Sequence, residues 1–319
     1  LLSGEQIGQL MDRIREQFAM AQDAEITMEV NPGTASAEKL RNFYTAGINR
    51  LSIGMQSAQA EELKNLGRIH DFEGFCQVYR EAVEAGFTNI NVDIMSGLPG
   101  QTLASYRDTL EKVLHLEPMP QHISAYSLIV EEGTPFAAMA ERGELPLPEE
   151  ETERAMYEET IEVLAKYGFH RYEISNYARD GYECRHNVGY WIRRDYLGFG
   201  IGAASLIDNV RFQNEKSLGT YLAHPLESRE EEQTLTVQDR MEETMFLGLR
   251  LTRGVSCVDF AEQYGRTVEE VYGEVIARNV ADGLLTVTER KENQKKDRFL
   301  ALTKRGLDLS NYVMAQFLF

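Results

Sequence analysis

Hydrophobic and polar positions follow two alternating periods along the first 175 residues. Short apolar or β-branched runs that end at turn residues predict strands. Between them, apolar residues recur at helical spacing, which predicts helices with one buried face. The alternation of strands and helices predicts βαβ units and a parallel sheet, either open or curled into a barrel. The predicted strands cover residues 25–30, 50–55, 90–95, 122–130 and 172–175.

The pattern changes towards the end of the chain. Residues 213–238 are polar and rich in charge, which predicts a connector. Further on, helices precede two strand-like runs at 284–288 and 298–303, with a charged tip between them, as in a winged-helix module. We therefore expect three parts, with an α/β barrel-type part over 1–212, the connector over 213–238 and a winged-helix-like domain over 239–319.

The chain begins on a predicted helix. Ser3 and Gln6 have the spacing of a capping box, and Leu2 and Ile7 have that of a hydrophobic staple. A parallel α/β unit usually starts with a strand, so we expect the functional protein to have further sequence upstream.

Composition narrows the class of protein. Apolar residues make up 43% of the 319 positions and charged residues 26%, which is ordinary for a globular chain. The sequence contains no run of eighteen apolar residues and no secretory signal pattern. Cys76, Cys184 and Cys257 are widely separated, which excludes a disulfide framework or a CxxC-type metal knuckle in this chain and favours a cytoplasmic location.

The net charge argues against polyanionic partners. The chain carries 33 Lys and Arg against 51 Asp and Glu, a net of −18. From Thr236 onward the balance is nearly even, with 13 acidic and 12 basic residues. Because DNA binding relies on cations that neutralise phosphates, we expect no nucleic-acid partner despite the winged-helix pattern.

Polar residues lie at or near the carboxyl ends of three predicted strands, the edge at which α/β enzymes build their sites. These are Glu29, Gln56 and Asp93, and each interrupts or closes an apolar run. Arg68 follows in the segment after Gln56 and could hold a carboxylate with two hydrogen bonds. A purely structural role is the alternative for all four residues. Glu29, Gln56 and Asp93 would then cap or turn the chain, and Arg68 would be an ordinary surface residue.

The segment from Cys184 to Trp191 is the densest in chemically useful side chains. His186 or Cys184 could ligate a haem iron. The alternative is an ordered loop whose aromatic side chains fill the end of the sheet. For the glycines at 198, 200 and 202 we expect close backbone approach at the last strand of the sheet, since they lack the spacing and context of a dinucleotide-binding loop.

Six segments together carry a family resemblance. They are Glu29-Val-Asn-Pro-Gly-Thr34, Gly47-Ile-Asn-Arg-Leu-Ser-Ile-Gly-Met-Gln-Ser57, Leu66-Gly-Arg-Ile-His70, Asn91-Val-Asp-Ile-Met-Ser-Gly-Leu-Pro99, Tyr172-Glu-Ile-Ser-Asn-Tyr177 and His186-Asn-Val-Gly-Tyr-Trp191. With them the chain resembles the radical S-adenosylmethionine (SAM) family that includes the oxygen-independent coproporphyrinogen III oxidases. It most resembles the bacterial haem-chaperone branch of that family, for which the last segment is typical.

The resemblance implies a partial (β/α)6 TIM-like barrel whose N-terminal strands are missing from this chain, together with a [4Fe-4S] cluster and SAM. On that pattern Glu29, Gln56, Arg68 and Asp93 occupy SAM-contacting positions, and Ser127 occupies a further one. Arg68 suits the SAM carboxylate, while the acidic groups suit its ammonium or ribose hydroxyls and are favourable near its sulfonium.

The chain departs from the family pattern in two places. The family's cluster-binding Cys-x-x-x-Cys-x-x-Cys and its Gly-Gly-Gly-Thr-Pro loop are absent here, so the resemblance implies that they lie upstream and that this chain itself supplies no metal ligand. Ala204 stands where the haem-chaperone branch often has a histidine, which makes His186 the better haem-ligand candidate, with Cys184 beside it.

The resemblance implies a cytoplasmic haem chaperone that binds haem or porphyrin and delivers haem to apoproteins. It leaves peripheral membrane association open. Coproporphyrinogen III oxidase activity is not expected, and is not possible for this chain without its cluster cysteines. The alternatives are a genuine oxygen-independent coproporphyrinogen III oxidase and a winged-helix binding protein on an α/β scaffold.

Overall fold

The computed structural model describes residues 2–225, 227, 229–292 and 295–318. These fall into two compact units. The first comprises the residues up to 171 and residues 175–183, and the second comprises residues 172–174 and those from 184 onward. The boundaries expected at residues 212 and 238 stay a prediction.

The first unit alternates helices and strands. Its elements are α1 (Gly4–Gln17), β1 (Thr27–Val30), a 3₁₀ turn (Pro32–Thr34), α2 (Ala37–Ala46), β2 (Arg50–Gln56), α3 (Ala60–Asn65), α4 (Phe72–Ala85), β3 (Ile90–Ser96), α5 (Leu103–Leu114), β4 (His122–Ser127), α6 (Pro135–Glu141), α7 (Glu150–Lys166), β5 (His170–Arg171) and β6 (Asn176–Ala178).

These strands form one sheet in the order β1-β2-β3-β4-β6-β5. The first four run parallel, as the strand–helix alternation predicts, and β6 runs antiparallel to both β4 and β5. The parallel α/β architecture is therefore confirmed.

Side chains alternate between the two faces of this sheet. Leu51 and Ile53 of β2 and Val92 and Ile94 of β3 are completely buried, and they join the core formed with the surrounding helices. The residues between them are polar or glycine. Because neighbouring residues of a strand point to opposite faces, one face of the sheet packs on helices and the other carries a polar strip.

Local sequence signals fix where the helices start and stop. The capping box predicted at the chain start is present, with Ser3 and Gln6 bonded reciprocally. Helix α4 is preceded by its N-cap residue Asp71, whose carboxylate accepts a hydrogen bond from the Gly74 amide. It ends at Gly86, which takes the left-handed backbone conformation that glycine adopts without strain.

The prediction of a strand at 172–175 is wrong. The residues on either side of this segment form β5 and β6, which pair with each other. Residues 172–174 themselves belong to the second unit. There Glu173 forms an isolated antiparallel bridge with Leu251, and the Thr252 amide donates to the Tyr172 carbonyl. Tertiary hydrogen bonds therefore override the local strand preference of this segment.

The second unit is built from shorter elements. They are α8 (Arg185–Trp191), β7 (Ala204–Ile207), β8 (Val210–Asn214), α9 (Leu218–Ala223), β9 (Arg229–Thr234), α10 (Val237–Gly248), β10 (Val255–Ser256), α11 (Cys257–Tyr264), α12 (Val268–Ala281), β11 (Leu285–Glu292), β12 (Lys295–Leu302), α13 (Lys304–Asp308) and α14 (Ser310–Ala315).

Two three-stranded sheets organise this unit. Strands β7, β8 and β9 form one antiparallel sheet, so the stretch expected as a connector contains regular structure. Strands β11 and β12 form the expected hairpin, and β10 adds to its β12 edge. Helices α10, α11, α12 and α14 share a core with that hairpin, which is a winged-helix-like arrangement.

The glycines at 198–202 differ in part from expectation. A side chain at Gly198 would collide with the Ala204 backbone, so close backbone approach is confirmed there. It is not found at Gly200 and Gly202, which instead take left-handed φ values of 95° and 65°. The strand that follows, β7, belongs to a sheet of the second unit and not to the parallel sheet. Among the described residues, no helix has both the length and the apolar character needed to cross a bilayer.

Candidate functional site

The carboxyl ends of β1 to β4 carry a group of polar side chains. Glu29 lies exposed near the end of β1, Gln56 closes β2, and Asp93 lies within β3 on the polar face. Tyr126, near the end of β4, donates from its hydroxyl to Gln56 Oε1 at 2.9 Å. The strand-end positions predicted from the sequence therefore converge at one edge of the sheet.

Gln56 is held in an unusual backbone conformation. Its φ of 68° lies in the left-handed region, and the pairing of β2 with β3 shifts register between Gly54 and Gln56. Such a bulge redirects the side chain that follows it. A Cβ at Gly54 would lie 2.8 Å from Gln56 Nε2, so glycine leaves room for this amide. Strain of this kind is typical of functional positions.

Asp93 is surrounded by donors. Asn91 Nδ2 lies 2.7 Å from its Oδ1, and the Ser52 hydroxyl lies 3.2 Å from its Oδ2. Burial raises the pKa of Asp93, hydrogen bonds from Asn91, Ser124 and Ser52 oppose the rise, and the nearby Glu29 carboxylate adds to it. The site therefore contains a carboxylate whose charge depends on its immediate hydrogen-bond partners.

Tyr126 interacts electrostatically with the charged side chains of the group. Burial raises the pKa of Tyr126 to about 12, and the charges of Asp93 and Glu29 add to the rise while that of Arg68 opposes it. Arg68 follows α3 and donates from Nη1 to Asn31 Oδ1 at 2.9 Å. Glu29, Gln56, Arg68 and Asp93, all predicted from the sequence, thus surround a tyrosine that the sequence reasoning missed.

Ser127 lies elsewhere. It is exposed, and its hydroxyl lies 3.0 Å from that of Ser96, its neighbour on β3. Alternation along β4 puts Ser127 on the opposite face of the sheet from Tyr126. The structure therefore does not bring it together with the other four predicted residues.

The chemistry of this donor set fits SAM. A guanidinium, two carboxylates, a carboxamide and a phenol match the carboxylate, ammonium and hydroxyl groups of that molecule. The described residues do not fit an iron–sulfur cluster, because none of their His, Cys, Asp or Glu side chains form a group of three or more that could hold a metal ion.

The second candidate region lies on α8. His186 is exposed in the first turn, and its ring packs edge-on against Tyr190 with 4.7 Å between ring centroids. Tyr190 packs in the same way against Tyr196, also at 4.7 Å. The segment is a helix and not the ordered loop weighed as the alternative, and its imidazole is accessible to solvent.

The two haem-ligand candidates differ in accessibility. Cys184 is only 4% exposed, and its backbone amide donates to the Tyr172 hydroxyl at 3.3 Å. At the other end of α8, Trp191 packs beneath the guanidinium of Arg250, 4.3 Å from the ring centroid. A thiol that is buried in this way is a poorer ligand for an incoming iron than the exposed His186.

Comparison with known proteins gives the class first. Residues 3–113 match the radical SAM superfamily, and residues 235–309 match the HemN C-terminal domain. The fold aligns with the solved structure of coproporphyrinogen III oxidase (HemN) from Escherichia coli, described as a radical SAM enzyme. The TM-score is 0.79 at 25% identity over 99% of this chain and 74% of that one. The first unit is thus a radical SAM fold, and the second contains the domain that accompanies it in HemN.

Curated relatives refine this class. The heme chaperone HemW of Bacillus subtilis is 38% identical over 99% of this chain and 82% of its own length. The heme chaperone HemW of Lactococcus lactis is 35% identical over 100% of this chain and 82% of its own length. That of Escherichia coli is 35% identical over 90% and 75%. The chain belongs to the HemW family of radical SAM proteins, as the resemblance implied.

Proposed function

We propose that this protein is a haem chaperone, which binds haem and passes it to haem-requiring apoproteins. The observation that carries the proposal is the match to HemW proteins, named heme chaperones, along the full length of this chain. The accessible imidazole on α8 supports it, since histidine is the commonest protein ligand of haem iron.

His186 is the proposed haem ligand. It is exposed, and its ring orientation is supported by contact with Tyr190. Cys184 is the weaker candidate because it is buried. The aromatic rings beside His186 would also offer apolar surface to a macrocycle.

The first unit is proposed to bind SAM. Arg68 would hold the SAM carboxylate, Glu29 and Asp93 would accept hydrogen bonds from its ammonium or ribose hydroxyls, and Gln56 would bridge, oriented by Tyr126. When bound beside a reduced [4Fe-4S] cluster, SAM supplies radical chemistry. The described residues do not provide the ligands for such a cluster.

Haemin titration tests the haem assignment. Adding haemin to the protein is expected to give a saturable Soret shift, and His186→Ala is expected to weaken it at least tenfold. His224→Ala is the matched control, because His224 is another exposed histidine of the second unit. Absence of a shift in the unaltered protein would overturn the proposal, and equal losses in both variants would overturn the ligand assignment.

A second assay separates the chaperone from the oxidase. The fold match to coproporphyrinogen III oxidase makes that activity the specific alternative. Protein that carries a reconstituted [4Fe-4S] cluster, verified by its iron and sulfide content, is incubated anaerobically with coproporphyrinogen III, SAM and a reductant, and is expected to give no protoporphyrinogen. Formation of that product would favour the oxidase instead.

SAM binding is measured separately by calorimetry. Arg68→Ala is expected to weaken it by tenfold or more, because a charged hydrogen-bonding partner is lost. Arg13→Ala is the control, since Arg13 is exposed on α1. An unchanged affinity in Arg68→Ala would contradict the proposed SAM site.

A further inference from the structure

Behind Asp93, the polar strip continues away from the carboxyl ends of the strands. Asn91 is 2% exposed and His122 is fully buried, and they are direct neighbours across β3 and β4. Asn91 Nδ2 lies 2.7 Å from Asp93 Oδ1 and 2.8 Å from the Ser52 hydroxyl. Asn91 Oδ1 lies 2.6 Å from His122 Nδ1. One carboxamide thus links the site carboxylate to a buried imidazole.

The chemistry of these groups fixes their orientation. When Asp93 is ionised it accepts hydrogen bonds only, so the Asn91 atom that faces it has to be the amide nitrogen. The carbonyl oxygen of Asn91 then faces His122, whose Nδ1 has to carry the hydrogen. A reversed amide would set its oxygen against the Asp93 carboxylate, which costs about as much as a buried unpaired acceptor.

His122 is suited to this task because it stays neutral. Burial holds the pKa of His122 well below its usual range, and the positive charge of Arg50 adds to the effect. Its tautomer, and not its charge, is therefore what it contributes to Asn91. The Ser124 hydroxyl lies 3.1 Å from Asn91 Oδ1 and also within reach of Asp93, but its single hydrogen serves only one of them.

We propose that Asn91, locked in orientation by His122, is a positioning residue that keeps Asp93 ionised and correctly oriented for SAM. The proposal rests on the assignment of Asp93 to the SAM site. It adds two buried residues that have no expected contact with SAM but determine whether the carboxylate is available.

The sign of the pH dependence follows from the groups that face Asp93. Glu29 on β1 opposes ionisation of Asp93, as does burial. The donors that favour ionisation come from β2, β3 and β4, namely Ser52, Asn91 and Ser124. Tyr126 interacts electrostatically with Asp93 and with Arg68, and it stays protonated and neutral at ordinary pH. Loss of the Asn91 donor therefore raises the pKa of Asp93 further, and SAM binding is lost at a higher pH as the solution is acidified.

The first test reads Asp93 directly in the ligand-free protein. Its carboxyl carbon is followed by NMR during a pH titration, with Asp93→Asn to assign the signal. Asn91→Leu is expected to increase the proton affinity of Asp93 roughly tenfold to a hundredfold, the effect of losing a hydrogen bond to a charged group. An unchanged titration midpoint in Asn91→Leu would overturn the proposal.

The second test separates orientation from packing at the buried histidine. His122→Asn keeps a donor near the position of Nδ1, whereas His122→Leu removes it. Asn is expected to keep the Asp93 titration midpoint and Leu to raise it, and equal behaviour of the two variants would overturn the role of His122. If the leucine variants do not fold, Asn91→Val is used, because its β-branched side chain suits a strand and also lacks the donor; the same rise is expected, and no rise would overturn the proposal.

SAM affinity is then measured against pH in the same variants. The pH below which SAM affinity is lost is expected to lie about one to two pH units higher in Asn91→Leu than in the unaltered protein, matching the change in proton affinity of Asp93. If the unaltered protein binds no SAM, the proposed SAM site fails, and the NMR titration still decides the role of Asn91. The two failures are therefore distinguishable.

Discussion

Replacing Glu243 by alanine is expected to cost the second unit about 3 kcal/mol of stability. Glu243 lies on α10 and accepts bonds from Arg193 Nε at 2.7 Å and Arg211 Nη1 at 2.6 Å. The side chains of Arg193 and Glu243 are only 4% and 8% exposed. Removing the acid leaves a buried guanidinium without its counter-charge, which typically costs about 3–5 kcal/mol. The lower end applies because Arg211, at 38% exposed, can recover hydration.

The single tryptophan of the chain makes the measurement convenient. Trp191 ends α8 and lies in the second unit, two residues before Arg193. Its fluorescence during urea unfolding reports the loss of stability, and the melting temperature is expected to fall by roughly 10 °C.

An exposed ion pair in the same unit provides the control. Arg298 and Glu269 lie 2.7 Å apart with side chains 52% and 43% exposed. Because solvent screens such a pair, Glu269→Ala is expected to cost less than about 1 kcal/mol. Equal losses in Glu243→Ala and Glu269→Ala, or a loss below about 1 kcal/mol in the former, would refute the reasoning from burial.

Three further outcomes are expected. Tyr126→Phe removes the donor to Gln56, so SAM affinity should fall roughly twofold to tenfold in calorimetry with little change in melting temperature; an unchanged affinity would speak against Tyr126 as part of the site. Burial raises the pKa of Cys257 to about 11, so its alkylation at pH 8, followed by mass spectrometry, should be far slower in the folded than in the urea-unfolded protein. A Cβ at Gly306 would overlap a backbone carbonyl, whereas Gly273 in α12 has open space, so Gly306→Ala should lower the melting temperature and Gly273→Ala should raise it by removing helical glycine.

The sequence predicted the parallel sheet and most members of the candidate site because both depend on local patterns. Glu29, Gln56 and Asp93 stood out as polar residues that interrupt apolar strands. The alternation of side chains brings them to one face of the sheet, and the parallel direction of the strands brings them to one edge. Tyr126 escaped notice because an aromatic residue near the end of a strand is equally typical of a core. A signal was present, since Tyr126 shares the strand face of the polar residues Ser124 and His122.

Other features depend on contacts that local pattern does not contain. Residues 172–175 have strand character, yet hydrogen bonds to Leu251 and Thr252, remote in sequence, decide their conformation. The helix α8 was also missed as a helix. The helix has only seven residues and includes Gly189. Its N-cap residue, Cys184, makes no side-chain capping bond, so no start signal marks the helix in the sequence.

Haem transfer tests the central claim most directly. The protein is loaded with haemin, freed of excess by gel filtration, and mixed with the haem-free form of a b-type cytochrome. We expect the Soret band of the loaded protein to be replaced by the spectrum of the holocytochrome, with the chaperone recovered free of haem. Failure to retain any haem through gel filtration, or retention of the haem while free haemin loads the same cytochrome, would contradict the account.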